Sequence, residues 1–321
     1  MKVIIPIIIL LIVAFFLLYG GYYFIRPSQK GEEILNNLNI PHPTIIAHRG
    51  ASDIAPEHTK PAFEKAVETG VDYLEADIHK TSDDKLVILH DNNLKRTSNI
   101  EQIYPKRVQD HISTFTYEEL LKLDFGSWFN KKYPQKADKD YKDLKILTLE
   151  ELLEIAVEGE NNAGVVLDLK ETEKYQNITS DVIKVLKEQG WYNKNNNKYN
   201  SNVIIFSLNL ETLKQFKNLA PDIPRVLLLN NNLMTKRKWE EWLDLADKHV
   251  HGFGVKGFIS WPWHIALAHD RNLFVFPYVI NKGWQLNIFS HIQANGYITD
   301  RPELVLDFLD FFPEIIPNLE D

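Results

Sequence analysis

Residues 73–90 read Tyr73-Leu-Glu-Ala-Asp-Ile-His-Lys80 and then Thr81-Ser-Asp-Asp-Lys-Leu-Val-Ile-Leu-His90, and the way these two arms pair decides the fold. Each arm carries a short apolar run of strand type. Only Thr81 to Lys85 separate the runs, whereas a helical crossover between parallel strands needs about a dozen residues or more. The arms must therefore form an antiparallel hairpin spanning about residues 75–90. With Asp83 and Asp84 as the two central turn residues, Ser82 pairs with Lys85 and Asp77 falls opposite His90. Directly opposed residues share a face, with Cβ atoms about 4.5–5.5 Å apart. A two-residue type I′ turn wants positive φ at both central positions, which Gly would satisfy more easily than Asp84.

With Leu86 to His90 assigned to the hairpin, eight other strands remain: Thr44 to His48, Tyr73 to His79, Gly164 to Leu169, Val203 to Ser207, Arg225 to Leu229, Gly252 to Lys256, Leu273 to Ile280 and Gly296 to Thr299. Amphipathic stretches at Thr59 to Glu68, Leu149 to Val157, Thr179 to Gln189, Glu211 to Leu219 and Lys236 to Lys248 lie between them. Strands alternating with helices predict an α/β fold with parallel strands. Eight such units in about 270 residues suit a (β/α)8 TIM barrel, typically about 250 residues, with a doubly wound open sheet as the alternative. Lys131 to Lys145, rich in Lys, Asp and Tyr, and the Asn-rich Tyr192 to Asn202 read as solvated loops. Trp239 and Trp242, three apart on a predicted helix, and Trp261 and Trp263, flanking Pro262, read as packing residues rather than lipid contacts.

The amino terminus differs from the rest. From Val3 to Ile25 there is no charged residue, and about 20 apolar residues suffice to cross a bilayer as a helix. A signal peptide would have an apolar core of about 7–15 residues followed by a small-x-small cleavage site. Here Tyr19-Gly-Gly-Tyr-Tyr-Phe24 follows instead. The expected organisation is a single-pass transmembrane anchor over 1–26, a linker over 27–43, the barrel domain over 44–313 and a C-terminal tail over 314–321. Lys2 and the amino terminus balance Arg26 and Lys30 across the span, so charge orients it weakly; an extracytoplasmic catalytic domain is expected. Elsewhere the composition is globular, 44% hydrophobic and 25% charged. A net charge of -8 argues against nucleic acid, whose binding relies on clustered Lys and Arg. With no cysteine, disulfides, thiolate metal sites and thiol catalysis are excluded. Nothing in the sequence fixes an oligomeric state.

The chemistry lies at the carboxyl ends of the first predicted strands, which in a βα barrel open onto one face. Glu75 and Asp77 are two residues apart and share a side of the chain. Two carboxylates on an apolar strand are costly unless paired or bound to a metal, and hard oxygen donors suit Mg²⁺ or Ca²⁺. The spacing recurs at Asp168 and Lys170, where a third carboxylate completes a metal site and the ammonium offers a point charge to phosphate. His48-Arg49-Gly50 closes the first strand; a guanidinium grips phosphate through paired hydrogen bonds, and the helix starting near Thr59, just after Glu57, adds its dipole. His48 and His90 supply an acid and a base for displacement at phosphorus. His79 shares the face of Glu75 and Asp77 and is expected in a supporting position.

Taken together, His48-Arg-Gly-Ala, Pro56-Glu-His-Thr59, Leu74-Glu-Ala-Asp77, His90-Asp91, Arg96-Thr97, Phe125-Gly-Ser-Trp-Phe129, Leu167-Asp-Leu-Lys170 and Ile298-Thr-Asp-Arg-Pro302 resemble the ordered motifs of glycerophosphodiester phosphodiesterases, from Thr44 to Pro302. The resemblance implies a (β/α)8 barrel, one divalent metal ion, Ca²⁺ or Mg²⁺, and hydrolysis of a glycerophosphodiester to glycerol 3-phosphate and an alcohol, including a route in which the glycerol hydroxyl attacks first. It implies His48 and His90 as the acid–base pair, Arg49 and Lys170 on the phosphate, and Glu75, Asp77 and Asp168 on the metal. Four positions depart from the family pattern, which has Glu at Asp168, Asn at His58, Gly at Asp84 and Trp at Tyr278. Asp168 is one methylene shorter than Glu, while His58 and Tyr278 bear on substrate choice, with Glu57 and Tyr278 expected close behind the site. The membrane is a second expected partner through the amino-terminal helix. That helix favours an alternative, lysophospholipase D activity on lipids retaining one acyl chain. A non-catalytic anchored headgroup binder is the other alternative, but binding alone has no use for two histidines.

Overall fold

Alternation along each strand sends one set of side chains inward and the other outward, and closing the sheet on itself gives both sets a core. The computed structural model describes residues 4–25, 28–158, 161–193 and 199–311. Its strands are β1 Thr44–His48, β2 Tyr73–Lys80, β3 Leu86–Ile88, β4 Gly164–Leu169, β5 Val203–Ser207, β6 Arg225–Leu229, β7 Gly252–Lys256, β8 Phe274–Tyr278 and β9 Gly296–Thr299. Among the described residues, all but β3 run parallel in the order β1, β9, β8, β7, β6, β5, β4, β2, and a β1–β2 pairing closes the ring. This is the (β/α)8 barrel expected, with helices at Lys60–Glu68, Leu149–Ile155, Ile178–Glu188, Leu210–Leu219 and Trp239–Ala246 where the periodicity predicts them. Ile46, Tyr73, Val166, Phe206, Phe276 and Ile298 fill the interior, while Leu74, Ala76, Leu167, Val203 and Phe253 face the helices. Trp239 and Trp242 are buried in that outer layer, as packing residues.

The segment expected as a linker holds a short helix, α2 Gly31–Asn36. Ile34, Leu35, Leu38 and Ile40 join the interior cluster, and Asn295, just ahead of β9, donates from Nδ2 to the Gly31 carbonyl at 2.9 Å. These residues plug the barrel at the end opposite the strands' carboxyl termini. Ahead of them, α1 Ile4–Ile25 is 22 residues long, with mean hydropathy 2.8 over its most apolar window, long and apolar enough to cross a membrane. The expected tail 314–321 and residues 1–3 and 26 lie outside the described residues.

The hairpin forms, but in a different register. Ile78 pairs with Ile88, His79 with Val87 and Lys80 with Leu86, antiparallel. Thr81 N donates to Lys85 O at 2.9 Å, so the loop is Ser82 to Asp84, one residue longer than the two-residue turn expected. Asp84 sits at φ 65, the left-handed position that ends a three-residue loop. The extra residue shifts every pair by one. Leu89 donates its N–H to Asp77 O at 3.0 Å, and the expected opposition of His90 and Asp77 does not form; His90 lies beyond the ladder.

Neither segment expected as a solvated loop is merely that. Tyr141 is buried, donates its hydroxyl to Ile54 O at 3.0 Å and packs edge-on against Phe129 at 5.7 Å. Tyr192 is buried and donates to Asp222 Oδ1 at 2.7 Å; residues 194–198 of that segment lie outside the described residues. Aromatic rings with a polar tip anchor both stretches.

Candidate active site

The turn after β1 is built by backbone conformation. Arg49 and Gly50 both have positive φ, 60 and 81, and a Cβ added at Gly50 would lie 2.6 Å from the backbone carbon of Ala62. Only Gly fits there, so the turn is pressed against the helix Lys60–Glu68. Arg49 N then donates to Glu75 Oε2 at 2.9 Å, which binds the end of β1 to β2.

His48 points Nδ1 at Asp300 Oδ1, 2.6 Å away. Asp300 also accepts from Ser52 Oγ at 3.0 Å and Asn281 Nδ2 at 2.6 Å. Whenever the ring is neutral, a carboxylate on Nδ1 favours the proton there and a bare Nε2. Burial alone would raise the Asp300 carboxyl, but the hydrogen bond and charge of His48, with Asn281 and Ser52, bring it down to about 2.

His90 is gripped in the same way. Its Nδ1 meets Asp91 Oδ1 at 2.7 Å. Asp91 accepts from Arg96 Nε at 2.6 Å, and Arg96 forks onto Glu57 with bonds of 2.6 and 2.8 Å. Glu57 in turn accepts from Arg49 at 2.9 Å. An unbroken chain of charge-assisted bonds therefore runs from His90 to Arg49. Burial opposes ionisation of Glu57, yet the Arg96 hydrogen bonds and the Arg49 charge hold it at about 2.

Between these arms sit Glu75, Asp77 and Asp168, all buried, with a ligand oxygen from each within 4.8 Å of the others. The Lys170 ammonium pairs with Asp77 Oδ1 at 2.8 Å and with Asp168 Oδ2. Asp77 is surrounded further by His58 Nε2 at 2.8 Å and Arg49 Nε at 3.6 Å. Burial pushes the Glu75 carboxyl up, helped by the Asp77 charge, and pushes Asp168 up as well. Asp77 goes the other way, because Lys170 and His58 outweigh burial. Asp168 keeps one buried oxygen, Oδ1, without a hydrogen-bond partner. Three clustered hard oxygen donors, one of them unsatisfied, fit a divalent cation of the Ca²⁺ or Mg²⁺ kind. The charge of His90 also reaches Asp168 and, against burial, acts to lower its pKa.

Other expected residues fall at the margin. His79 is buried and bonded at Nδ1 to the Tyr175 hydroxyl, 2.6 Å away, rather than to a carboxylate. Tyr278 donates to Leu229 O at 3.3 Å and packs against the interior cluster; burial, and then the Asp168 charge, raise it to about 12. His58, lowered to about 4 by burial, is neutral and hydrogen-bonds Asp77, so this departure bears on a carboxylate of the cluster. Asp300, Asp91 and Arg96 lie in the quoted motifs, but sequence reasoning gave them no role. Adjacency to His90 was an available signal for Asp91. For Asp300 there was none, since 252 residues separate it from His48.

Residues 48–304 match the glycerophosphoryl diester phosphodiesterase family. The glycerophosphodiester phosphodiesterase of Bacillus subtilis is 30% identical over 259 residues, covering 81% of this chain and 84% of its own. A glycerophosphodiester phosphodiesterase of Caldanaerobacter subterraneus is 30% identical over 271 residues, covering 83% and 97%. Among solved structures, an Oleispira antarctica phosphodiesterase in complex with the product sn-glycerol-3-phosphate superposes with a TM-score of 0.67 at 24% identity, over 84% of this chain and 97% of that one. The fold, the motif order and these matches agree: the chain belongs to the glycerophosphoryl diester phosphodiesterase family, a family of phosphoric diester hydrolases.

Proposed function

We propose that the protein hydrolyses glycerophosphodiesters to glycerol 3-phosphate and an alcohol, with His48 and His90 as the proton-transfer pair. The observation that carries this reading is that both histidines are fixed at Nδ1 by a carboxylate, Asp300 and Asp91, on the rim of one buried acidic cluster. In each hydrolytic step one imidazole takes the proton of the attacking hydroxyl at Nε2, while the other, as imidazolium, gives a proton to the departing oxygen. Glu75, Asp77 and Asp168 would hold the divalent ion, Ca²⁺ or Mg²⁺, which when bound neutralises charge on the phosphoryl oxygens. Arg49 and Lys170 supply fixed positive charge for the phosphate. Their ion pairs with Glu57, Asp77 and Asp168 hold those charges in place before substrate arrives, so little reorganisation is left for the reaction.

The test is a product assay on the purified full chain in detergent, with glycerophosphocholine and lysophosphatidylcholine in parallel. Glycerol 3-phosphate should appear from glycerophosphocholine, and chelator, His48→Ala or His90→Ala should each abolish it. Turnover that survives both substitutions would sink the two-histidine reading. Faster turnover of lysophosphatidylcholine would favour the alternative substrate, which the membrane-length α1 supports. The catalytic domain is assigned to the extracytoplasmic side. Since the chain has no cysteine, one introduced at an exposed position such as Lys184 reports sidedness to an impermeant thiol reagent, and labelling only after lysis would reverse the assignment.

A further inference from the structure

The amino-terminal part of the chain meets one helix of the barrel wall at two heights. The helix Pro262–Asp270 follows β7, so it starts near the catalytic face and ends at the plugged end. At its lower end Lys30 pairs with Asp270 at 3.6 Å, and a Cβ on Gly31 would come within 3.1 Å of His269. At its upper end the Tyr19 ring lies 6.5 Å from Trp263, and a Cβ on Gly20 would meet Trp263 at 3.6 Å. Gly31 thus lies beside the plugged end of the barrel wall and α1, at Tyr19 and Gly20, beside its catalytic end. The more amino-terminal part of α1 leads onward in the direction that the catalytic face opens, and Ile4 to Ile12 alone reach roughly 13 Å at 1.5 Å per residue.

At this height the barrel presents tryptophans. Trp261 is 53% exposed and Trp284 54%, with Ile288 at 40%, and Trp261 stacks on Trp263 at 5.2 Å with an interplanar angle of 8°. Trp261 and Trp284 lie in the connections after β7 and β8, on the same end of the barrel as His48 and Lys170. Between them and α1 is an apolar cavity of about 850 Å³, lined by Phe16, Leu17 and Gly20 on one side and Trp261, Trp284 and Phe289 on the other. Exposed tryptophan beside an apolar cavity is unusual on a surface that meets only water. It is the composition of a bilayer interface, where the ring is apolar and the indole N–H stays wet.

We propose that the loop and helix starts after β7 and β8 that carry Trp261, Trp263 and Trp284 enter the interface of the membrane that α1 spans, that lipid chains fill the cavity, and that the catalytic mouth opens toward the bilayer surface. The occupant is lipid rather than protein because the other wall of the cavity is α1 itself, uncharged from Ile4 to Tyr22 with mean hydropathy 2.8. The proposal rests on α1 spanning a membrane, and it replaces the packing role that sequence alone suggests for Trp261 and Trp263.

The test uses the full chain reconstituted into phosphatidylcholine vesicles with bromine on shallow acyl carbons, against unbrominated vesicles. Brominated lipid should quench part of the tryptophan emission, aqueous acrylamide should not reach that part, and the W261F/W263F/W284F triple variant should lose most of it with an unchanged circular dichroism spectrum. Equal emission in the two lipids from protein that resists carbonate washing, or a quenched fraction that persists in the triple variant, overturns the interface while leaving the anchor. Release of the protein by carbonate overturns both.

Discussion

Replacing Asp300 by Asn isolates the orientation of His48. The native carboxylate accepts from His48 Nδ1 at 2.6 Å, Asn281 Nδ2 at 2.6 Å and Ser52 Oγ at 3.0 Å. An amide has the same shape but cannot accept at both ends. If its NH₂ turns to His48, the imidazole proton moves to Nε2, the atom that must be bare to act as a base. The wrong tautomer costs about 10⁴ in kcat in Ser-His-Asp enzymes, and a positioned acid or base supplies about 10²–10⁴. A loss of about 10³ in kcat is expected, or about 4 kcal/mol at 1.36 kcal/mol per decade, with KM little changed. Stability falls too. The Asp300 carboxyl drops from 3.8 to about 2 on folding, worth about 2 kcal/mol. Because the folded value is the depressed one, this contribution is fully present above about pH 4 and is lost as pH falls through about 2. The variant should therefore be less stable at neutral pH and lose less between pH 4 and pH 2 than the native protein. Steady-state kinetics on glycerophosphocholine and thermal melts over that range measure both effects. A folded variant within tenfold of native kcat, or a defect confined to KM, would falsify the assigned role.

Glu57→Gln breaks the bridge between Arg49 and Arg96; with its carboxyl depressed from 4.5 to about 2, the loss should be about 3 kcal/mol near pH 7, shrinking as pH falls from 4.5 toward 2, read by urea unfolding. Asp168→Asn should weaken Ca²⁺ or Mg²⁺ binding at least about tenfold in calorimetric titration, since hard cations rely on carboxylate charge. Lys170→Met should not weaken it, because it removes a cation from beside Asp77 and Asp168, though it should abolish activity; equal loss of affinity in the two variants contradicts the assignment. A chain beginning at Ser28 should fold, whereas one beginning at Thr44 should not. The second lacks Ile34, Leu35, Leu38 and Ile40, which at 1.5–3 kcal/mol each amount to about 6–12 kcal/mol, comparable to the net stability of a whole domain. Circular dichroism of the two truncations decides it.

The barrel was legible because each strand is a brief apolar run closed by turn residues, and because the short gap at Thr81 to Lys85 leaves a hairpin no alternative. Its register was not, because that depends on Asp84 taking φ 65, a choice that the order Ser-Asp-Asp does not dictate. The carboxylates at positions 75, 77 and 168 were legible through a period of two on apolar strands. The bridge from His90 through Asp91, Arg96 and Glu57 to Arg49 needs two loops brought together, the one after β1 and the one after β3, which no local pattern encodes. The plug was missed for a different reason: six residues of helix with two buried apolar positions among them look like any linker until the barrel exists to receive them.

The closure of β1 on β9 also sets a timetable. His48 and Asp300 are 252 residues apart, so at about 5–20 residues per second the ribosome makes them roughly 13–50 s apart. Throughout that interval β1 has an unpaired edge, and Leu35 and Ile40 wait for Phe274 and Phe276. Translation halted before Gly296 leaves every carboxylate of the acidic cluster made and His90 beside Asp91, but His48 without Asp300, so the proposed histidine pair is complete only when the last strand is delivered.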